Sequence, residues 1–226
     1  MINLTNELNV KYHDHMGDDD RVIEAARVSV GKEDIAQNRR EGLIRYLVSE
    51  DHTSTLEHCY VTFSVDVPIF VAREWMRHRT QSFNEISGRY SKLDLKFYLP
   101  DENRGMVNAG SSARPDIQSN PELAKKAQAI HEWAYKIAAE AYQEMIDLGV
   151  AKEVARNVLP VGTYTRLYAT ANLNNWFKFL YLRNGEKGHP QEEIVIAAKQ
   201  VEKVIGELFP VTYDAWKAKM ERYKDA

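Results

Sequence analysis

The stretch "YVTFSVDVPIFVAREWMRHRTQSFNEISGRY", residues 60–90, carries the clearest structural signals in the chain. Its first eight residues alternate between apolar and polar side chains, which predicts a strand with one buried face. Pro68 ends the alternation and suits the first turn of a helix, "IFVAREWMRHR". Hydroxyl, amide and glycine residues follow this helix and predict a polar loop. A strand, a helix and a loop are therefore expected in immediate succession.

Outward from this segment, apolar residues at helical spacing predict helices over 18–29 and 41–50 before it. After it, Asn120 and Pro121 predict the start of a long helix that ends at Gly149. Further helices are predicted up to Leu159, from Asn172, and from near Pro190 and Pro210. Residues 93–100 alternate and predict a strand, 162–170 have a strand-like composition, and 101–120 predict a surface loop.

Strands that are few and not regularly interleaved with helices favour an α+β fold over a doubly wound sheet. We expect a helix-rich mixed α/β chain with a small, mainly antiparallel sheet. A single domain over 1–226 is the leading expectation, and two small domains are the alternative.

The long predicted helix carries an apolar seam that should pack on another helix, in this chain or in another subunit. Its members recur at steps of three and four residues and are Leu123, Ala127, Ile130, Ala134, Ile137, Ala141, Met145 and Leu148.

Composition excludes several classes of protein. Of the 226 residues, 44% are hydrophobic and 28% charged, as in ordinary globular proteins. No apolar run approaches the ~18 residues that cross a membrane, and "MINLTNELNV" shows no signal pattern, so a cytoplasmic location is expected. Cys59 is the single cysteine, which excludes an internal disulfide and predicts a buried small residue. The net charge of −3 disfavours binding of a nucleic-acid polymer.

Positive charge is nevertheless concentrated between Arg73 and Lys96, a segment that contains six lysines and arginines and three acidic residues. On its own, Arg77-His78-Arg79 is typical of a solvated helix end. The groups that follow it favour a nucleotide-phosphate site, because hydroxyls, an approachable glycine backbone and arginine all bind oxyanions. They are Ser82, Asn84, Ser87, Gly88 and Arg89. The glycine-rich motifs of P-loop and dinucleotide-binding proteins are absent from the sequence.

Arg77-His78-Arg79, seven residues and then Ser87 resemble the R-H-R-x7-S motif of the flavin-dependent thymidylate synthases. Other blocks resemble that family in the same order, and the resemblance extends from about Ala25 to Glu193. These blocks are "AARVS" (25–29), "HTSTLEH" (52–58), "SGRYSKL" (87–93), "ARNVLP" (155–160) and "LYLR" (180–183).

This resemblance implies a homotetramer that makes dTMP from dUMP at sites between subunits. 5,10-Methylenetetrahydrofolate supplies the carbon, reduced FAD supplies the hydride, and NADPH reduces the flavin. The implied fold is a mixed α/β chain whose long helices help to form the tetramer. The protein itself binds and orients these molecules.

The resemblance also implies roles for individual positions. Arg183 matches an arginine beside the uracil ring that stabilises negative charge during the reaction. Positions that match flavin contacts, or histidines near the flavin, are His52, Ser54, Arg77, His78, Arg79, Glu85, Asn172, Asn174, Lys178 and His189. Positions that match the dUMP site are Glu74, Arg77, Glu85, Ile86, Ser87, Gly88, Arg89, Arg156 and Arg183, with Arg89 and Arg156 on the phosphate. Ser87 is expected to bind rather than to act as a nucleophile.

Four departures from the family pattern bear on flavin affinity and on the role of His189. Asn174 stands where the family often has arginine, and Lys178 where asparagine or histidine is more familiar. Glu74 replaces a common glutamine, and the segment from Arg183 to His189 is slightly longer than in some relatives. Two alternatives therefore stay open. One is a flavoenzyme that methylates another uracil-containing substrate, and the other is an inactive nucleotide-binding relative with weakened flavin binding.

Overall fold

A computed structural model describes residues 2–31, 35–112 and 114–224 of the chain. Its strands are β1 Asn3–Thr5, β2 Asn9–Met16, β3 Tyr60–Pro68, β4 Ser82–Glu85, β5 Lys96–Tyr98, β6 Val107–Asn108, β7 Ile117–Gln118 and β8 Tyr164–Asn172. Its α-helices are α1 Asp19–Arg27, α2 Gln37–Ser49, α3 Ile69–Trp75, α4 Pro121–Asp147, α5 Lys152–Ala155, α6 Leu173–Arg183, α7 Glu192–Leu208 and α8 Pro210–Lys224. Short 3-10 turns lie at Val28–Val30, Thr53–His58 and Arg156–Val158.

A four-stranded antiparallel sheet in the order β2-β3-β8-β4 forms the centre of the fold. The alternation in β3 is confirmed, since its apolar residues are fully buried and its polar residues lie on the other face. β8 pairs with β3 along its whole length, from Tyr60 opposite Asn172 to Pro68 opposite Tyr164. The predicted α+β class with a small antiparallel sheet is therefore confirmed.

Aromatic packing fixes α3 against α6. The Trp75 and Phe179 rings lie 4.5 Å apart, and Phe63 of the sheet meets Trp176 edge-on at 5.0 Å. Each indole also donates a hydrogen bond of 3.0 Å, Trp75 to Gln81 Oε1 and Trp176 to the Val61 carbonyl. Buried aromatic groups with satisfied N–H donors hold their elements in a defined geometry. The C-terminal ends of α3 and α6 are thus brought together.

The longest helix, α4, has the predicted ends. The Asn120 side chain accepts a hydrogen bond from the Leu123 backbone N–H at 3.1 Å, and Gly149 follows the helix at a φ of 80°. Tyr135 and Tyr142 belong to the side of α4 that is buried within the chain. The apolar seam predicted for this helix faces outward instead, and much of it is exposed. Its exposed members include Leu123, Ile130, Ala134, Ile137 and Leu148.

The structure corrects several predicted boundaries. Residues 82–85, predicted as loop, form the edge strand β4, which pairs with β8. The strand predicted over 93–100 is limited to β5, which pairs in parallel with β1. The predicted loop 101–120, apart from Ala113, which lies outside the described residues, contains the small β6–β7 hairpin. The helix after Pro68 begins at Ile69, and Pro68 itself closes β3.

Within the described ranges, no helix combines the length and the apolarity that a membrane crossing requires. Cys59 is completely buried, as its sequence context predicted, and burial raises the pKa of its thiol to about 12.

Candidate functional site

Helix α6 is the element that organises the candidate site. β8 passes into it without an intervening loop, because Asn172 ends the strand and also caps the helix. The Asn172 side chain accepts a hydrogen bond from the Asn175 backbone N–H at 2.9 Å. One side of α6 is buried through Trp176, Phe179 and Leu180, which fixes the rotation of the helix about its axis.

Three predicted site residues meet at the C-terminal end of α6, and we call them the arginine cluster: Glu74, His78 and Arg183. Arg183 Nε donates to His78 Nε2 at 3.0 Å, and Arg183 Nη1 donates to Glu74 Oε1 in a very close ion pair. Only about a fifth of either charged side chain is exposed, 19% for Arg183 and 18% for Glu74. Arg183 Nη2 has no hydrogen-bond partner among the described residues.

The cluster determines the protonation state of His78. Burial and, to a smaller extent, the adjacent Arg183 charge lower the pKa of this imidazole to about 4. His78 Nε2 must accept the hydrogen bond from Arg183, so the proton of the neutral ring lies on Nδ1. Near pH 7 the motif Arg77-His78-Arg79 therefore consists of two cations around a neutral ring.

A second group lies beyond the other end of β4, and we call it the arginine loop: residues 85–89 with Arg156. Thr165 Oγ1 donates to Glu85 Oε1 at 2.5 Å, which fixes this carboxylate at the end of the strand. Ser87 then begins a turn, in which its side-chain oxygen accepts from the Arg89 backbone N–H at 3.2 Å. Ile86 and Arg89 are exposed.

Gly88 brings the arginine loop against Arg156. A Cβ atom at position 88 would lie 2.8 Å from Leu93 Cδ1 and 3.1 Å from Arg156 Cδ, so only glycine fits without displacement. Arg89 Nε pairs with Glu153 at 2.8 Å, one turn before Arg156. Two guanidinium groups and a close-packed backbone thus share one exposed surface, which is the arrangement that binds a phosphate group.

An apolar cleft of about 600 Å³ runs along α6, and its walls include Thr53, Asn174, Phe177, Lys178 and Tyr181. Asn174 is buried and donates from Nδ2 to Glu57 Oε1 at 3.0 Å, which ties α6 to the 3-10 turn Thr53–His58. Lys178 lies one helical turn further and is exposed at the cleft. Trp176 and Phe177 belong to the core.

The other predicted flavin-side residues are exposed around these elements. Arg77 and Arg79 flank His78, and a 3.5 Å hydrogen bond from Asn175 Nδ2 to the Thr80 carbonyl joins their segment to α6. The exposed residues His52 and Ser54 lie at the 3-10 turn, and His189 lies in the exposed segment after α6.

No hydrogen bond or ion pair joins the arginine cluster to the arginine loop among the described residues. β4 runs antiparallel to β8, so α6 continues from the Ser82 end of β4, whereas the arginine loop follows the Glu85 end. The extended path from Ser82 to Ser87 covers about 16 Å at the usual rise of a strand.

Three contacts of these residues are not predictable from the motifs. Thr165 holds Glu85, Glu57 holds Asn174, and Glu153 holds Arg89. Glu57 lies within the block "HTSTLEH", which offers a signal for its importance. Thr165 and Glu153 carry no such signal, because their partners are distant in sequence.

Comparison with known proteins identifies relatives of this chain. The family model described as "Thymidylate synthase complementing protein" matches residues 11–211. The flavin-dependent thymidylate synthase of Pseudothermotoga lettingae is 41% identical over 207 residues, which cover 92% of this chain and 89% of that protein. The enzyme of the same name from Streptomyces coelicolor is 39% identical over 96% of this chain and 94% of its own length.

Solved structures of the UMP/dUMP methylase PolB from Streptomyces cacaoi share the fold. The complex with 5-Br dUMP superposes with a TM-score of 0.90, and the complex with 5-Br UMP with a TM-score of 0.89. Both are 39% identical to this chain, and each match covers 96% of this chain and 97% of the other. These matches confirm the family that the Arg-His-Arg motif and the other blocks indicated: the chain belongs to the flavin-dependent thymidylate synthases.

Proposed function

We propose that this chain methylates dUMP to dTMP, with 5,10-methylenetetrahydrofolate as carbon donor, FAD as cofactor and NADPH as the reductant of the flavin. Family membership supports the proposed reaction. The main structural support in this chain is the arginine cluster. Arg183 contacts His78 of the Arg-His-Arg motif directly. The proposed pyrimidine-side arginine and the proposed flavin-side motif therefore share one preorganised group.

The residues around α6 fit a flavin. A flat ring system suits the apolar cleft, and the cofactor's phosphates suit the exposed cations Arg77, Arg79 and Lys178. His52, Ser54, Glu85, Asn172 and His189 complete the proposed flavin contacts. When bound, reduced FAD supplies the hydride of the reaction, while the protein residues hold and orient it.

The departure at Asn174 does not leave the flavin side without a cation. Asn174 is occupied by its hydrogen bond to Glu57, and Lys178 places a positive charge one turn further along the same helix. This arrangement argues against the inactive relative with weakened flavin binding.

The arginine loop is proposed to bind dUMP. Arg89 and Arg156 would bind the phosphate, while Glu85 and the backbone from Ile86 to Gly88 would line the nucleotide. At the other end of the nucleotide, Arg183 would stabilise the negative charge that develops on the pyrimidine. Arg77 and Glu74 would lie on that pyrimidine side.

We further propose that each site combines two copies of the chain in a homotetramer. Arg183 contacts His78, which precedes β4, whereas the arginine loop follows β4, and no hydrogen bond or ion pair joins the two groups among the described residues. An apolar surface for the second copy is available on α4, where Ile130 is 62% and Trp133 is 65% exposed. Monomeric proteins rarely expose so many large apolar side chains on one helix.

The function is tested first by the visible spectrum of the purified protein with FAD, followed by addition of dUMP. We expect a bound-flavin spectrum that shifts with dUMP, and dTMP formation once methylenetetrahydrofolate and NADPH are added. Failure of the protein to take up flavin in the presence of dUMP would contradict the proposal.

UMP is the substrate of the second candidate function, which the match to a UMP/dUMP methylase favours. Turnover of dUMP and UMP under identical conditions separates the two. A larger kcat/KM for UMP would replace dTMP synthesis by methylation of the ribonucleotide.

Arg89→Ala is expected to weaken dUMP binding by about 1.5–3 kcal/mol, the worth of a charge-assisted hydrogen bond. The measurement is the dissociation constant of dUMP by calorimetry with FAD present. Glu153→Gln is the matched control: it removes the exposed partner of Arg89 and leaves the arginine, so dUMP binding should stay the same or become tighter. An unchanged dissociation constant for Arg89→Ala would remove this residue from the phosphate site.

A further inference from the structure

Glu74 is an incompletely satisfied carboxylate in the arginine cluster. Its Oε1 accepts from Arg183, but its Oε2 is buried and has no hydrogen-bond partner among the described residues. A buried carboxylate oxygen without a donor costs free energy, because it has lost its hydration without compensation. The fold therefore keeps this carboxylate at some cost to stability.

The electrostatics of the cluster point the same way. Burial raises the pKa of Glu74 more than the adjacent Arg183 and the backbone N–H of Gln191 lower it, and the Glu193 carboxylate raises it further. The charged and titratable groups around Glu74 are Arg183 of α6, His78 after α3, and Glu193 of α7. A raised pKa means that the folded protein favours the protonated acid. The free energy of unfolding therefore falls as pH rises through this pKa and the group ionises.

A second buried glutamate shows what a structural ion pair looks like in this chain. Glu193 is 2% exposed and accepts from Tyr98 Oη at 2.7 Å and from Arg104 at 2.9 and 3.1 Å. Burial raises the pKa of Glu193, but the hydrogen bonds from Arg104 and Tyr98 outweigh burial and hold the pKa below its usual value. Glu74 is also buried, but Arg183 and the backbone N–H of Gln191 do not outweigh burial there, and its pKa stays above its usual value.

We propose that Glu74 is a positioning residue, which acts on the reaction through Arg183. Glu74 holds Nη1 and His78 holds Nε, so the guanidinium plane is fixed and Nη2 remains for the substrate. The kinetic part of this inference rests on the proposed function. The inference assigns Glu74 an indirect role, through Arg183, in place of direct contact with dUMP. A glutamine, common at this position in the family, would keep one acceptor oxygen but lose the charge that holds Arg183.

The inference is tested with Glu74→Gln, Arg183→Ala and the double variant. We expect Glu74→Gln to lower kcat by about 10- to 100-fold, as for a catalytic group displaced by ~1 Å, with little change in the dissociation constant of dUMP. In the Arg183→Ala background the same substitution should cause no further loss, since its effect passes through Arg183. Equal fold-losses in both backgrounds would overturn the inference.

The pH dependence of kcat gives an independent test. In the wild-type protein, kcat should fall towards acid as Glu74 is protonated and releases Arg183, over a range above the ordinary carboxyl pKa of 4.5. Glutamine cannot titrate, so this acid limb should be missing from the profile of Glu74→Gln. An acid limb that persists unchanged in the variant would contradict the proposal.

Glu193→Gln is the matched control for stability. Glu193→Gln should lower the unfolding temperature, whereas Glu74→Gln should leave it unchanged or raise it, since a neutral group is favoured at position 74. A drop of similar size in both variants would assign Glu74 a purely structural role and overturn the inference. If the wild-type protein formed no methylated product, the proposed function would fail, and these unfolding temperatures would still decide whether Glu74 is held at a cost.

Discussion

Arg183→Ala is expected to reduce dTMP formation by about 100- to 1000-fold, the loss seen when one donor to a developing negative charge is removed. FAD and most of the dUMP binding should be retained, because the phosphate is assigned to Arg89 and Arg156. The measurement is dTMP formed per bound flavin, together with the flavin spectrum and the dUMP dissociation constant. Near-normal turnover would show that Arg183 has no part in the chemistry.

Loss of Arg183 also leaves the buried Glu74 carboxylate unpaired, which is destabilising in its own right. The double variant with Glu74→Gln removes this charge and controls for it. If the double variant were as stable as the wild-type protein and still inactive, the loss of turnover would be due to the missing role of Arg183 in the reaction. Recovery of turnover in the double variant would assign the loss to misfolding instead.

Mixing the Arg183→Ala and Arg89→Ala chains tests the composite site with the same variants. If each site takes Arg183 from one copy and Arg89 from another, random assortment leaves about a quarter of the sites intact. At a dUMP concentration too low to saturate Arg89→Ala, turnover should then rise above that of either variant after the two proteins are unfolded and refolded together. A mixture no more active than the average of the two variants would place both arginines of each site in a single copy.

Ile130→Glu combined with Ile137→Glu is expected to prevent assembly and to abolish turnover. Both side chains are exposed on α4, 62% and 48%, so the isolated chain should tolerate the charges. In an interface, each substitution forfeits about 1.5–3 kcal/mol of apolar burial and adds an unpaired buried charge. Sedimentation and flavin absorbance would measure the change in mass and the loss of the cofactor.

Lys136→Glu provides the control for the charge alone. Lys136 is exposed on a different face of α4 from the apolar seam, so its replacement should leave both mass and turnover unchanged. A double isoleucine variant that keeps the wild-type mass would exclude this face of α4 as the interface.

Elements with their own local signals were predictable from the sequence. β3 shows strict alternation, and α4 carries a capping asparagine, a proline and a terminal glycine, so both were found with nearly correct ends. The edge strand β4 has no such pattern: three of its four residues are polar, and it exists because its backbone pairs with β8. β2 was missed for the same reason, since nearly all its side chains are exposed.

In the candidate site, too, the residues with a sequence signal were predictable and the contacts that depend on tertiary packing were not. The Arg-His-Arg motif and Arg183 could be assigned through the family resemblance. Their arrangement could not, because Glu74 and Arg183 are 109 positions apart in sequence and Glu85 and Thr165 are 80 apart. Such contacts depend on how α3, β4 and β8 pack together. That packing cannot be predicted from the spacing of residues along the sequence.

The direct passage of β8 into α6 limits where the length of this chain can vary in evolution. An insertion in β8 would turn the following side chains to the other face of the sheet, and one in α6 would rotate Arg183 by about 100° away from Glu74. After Arg183, Gly185 and Gly188 form exposed turns at φ values of 84° and 73°, where added residues disturb no buried contact of the helix. Insertions and deletions among relatives should therefore be concentrated after Arg183, the segment for which the family resemblance indicates a slightly greater length in this chain.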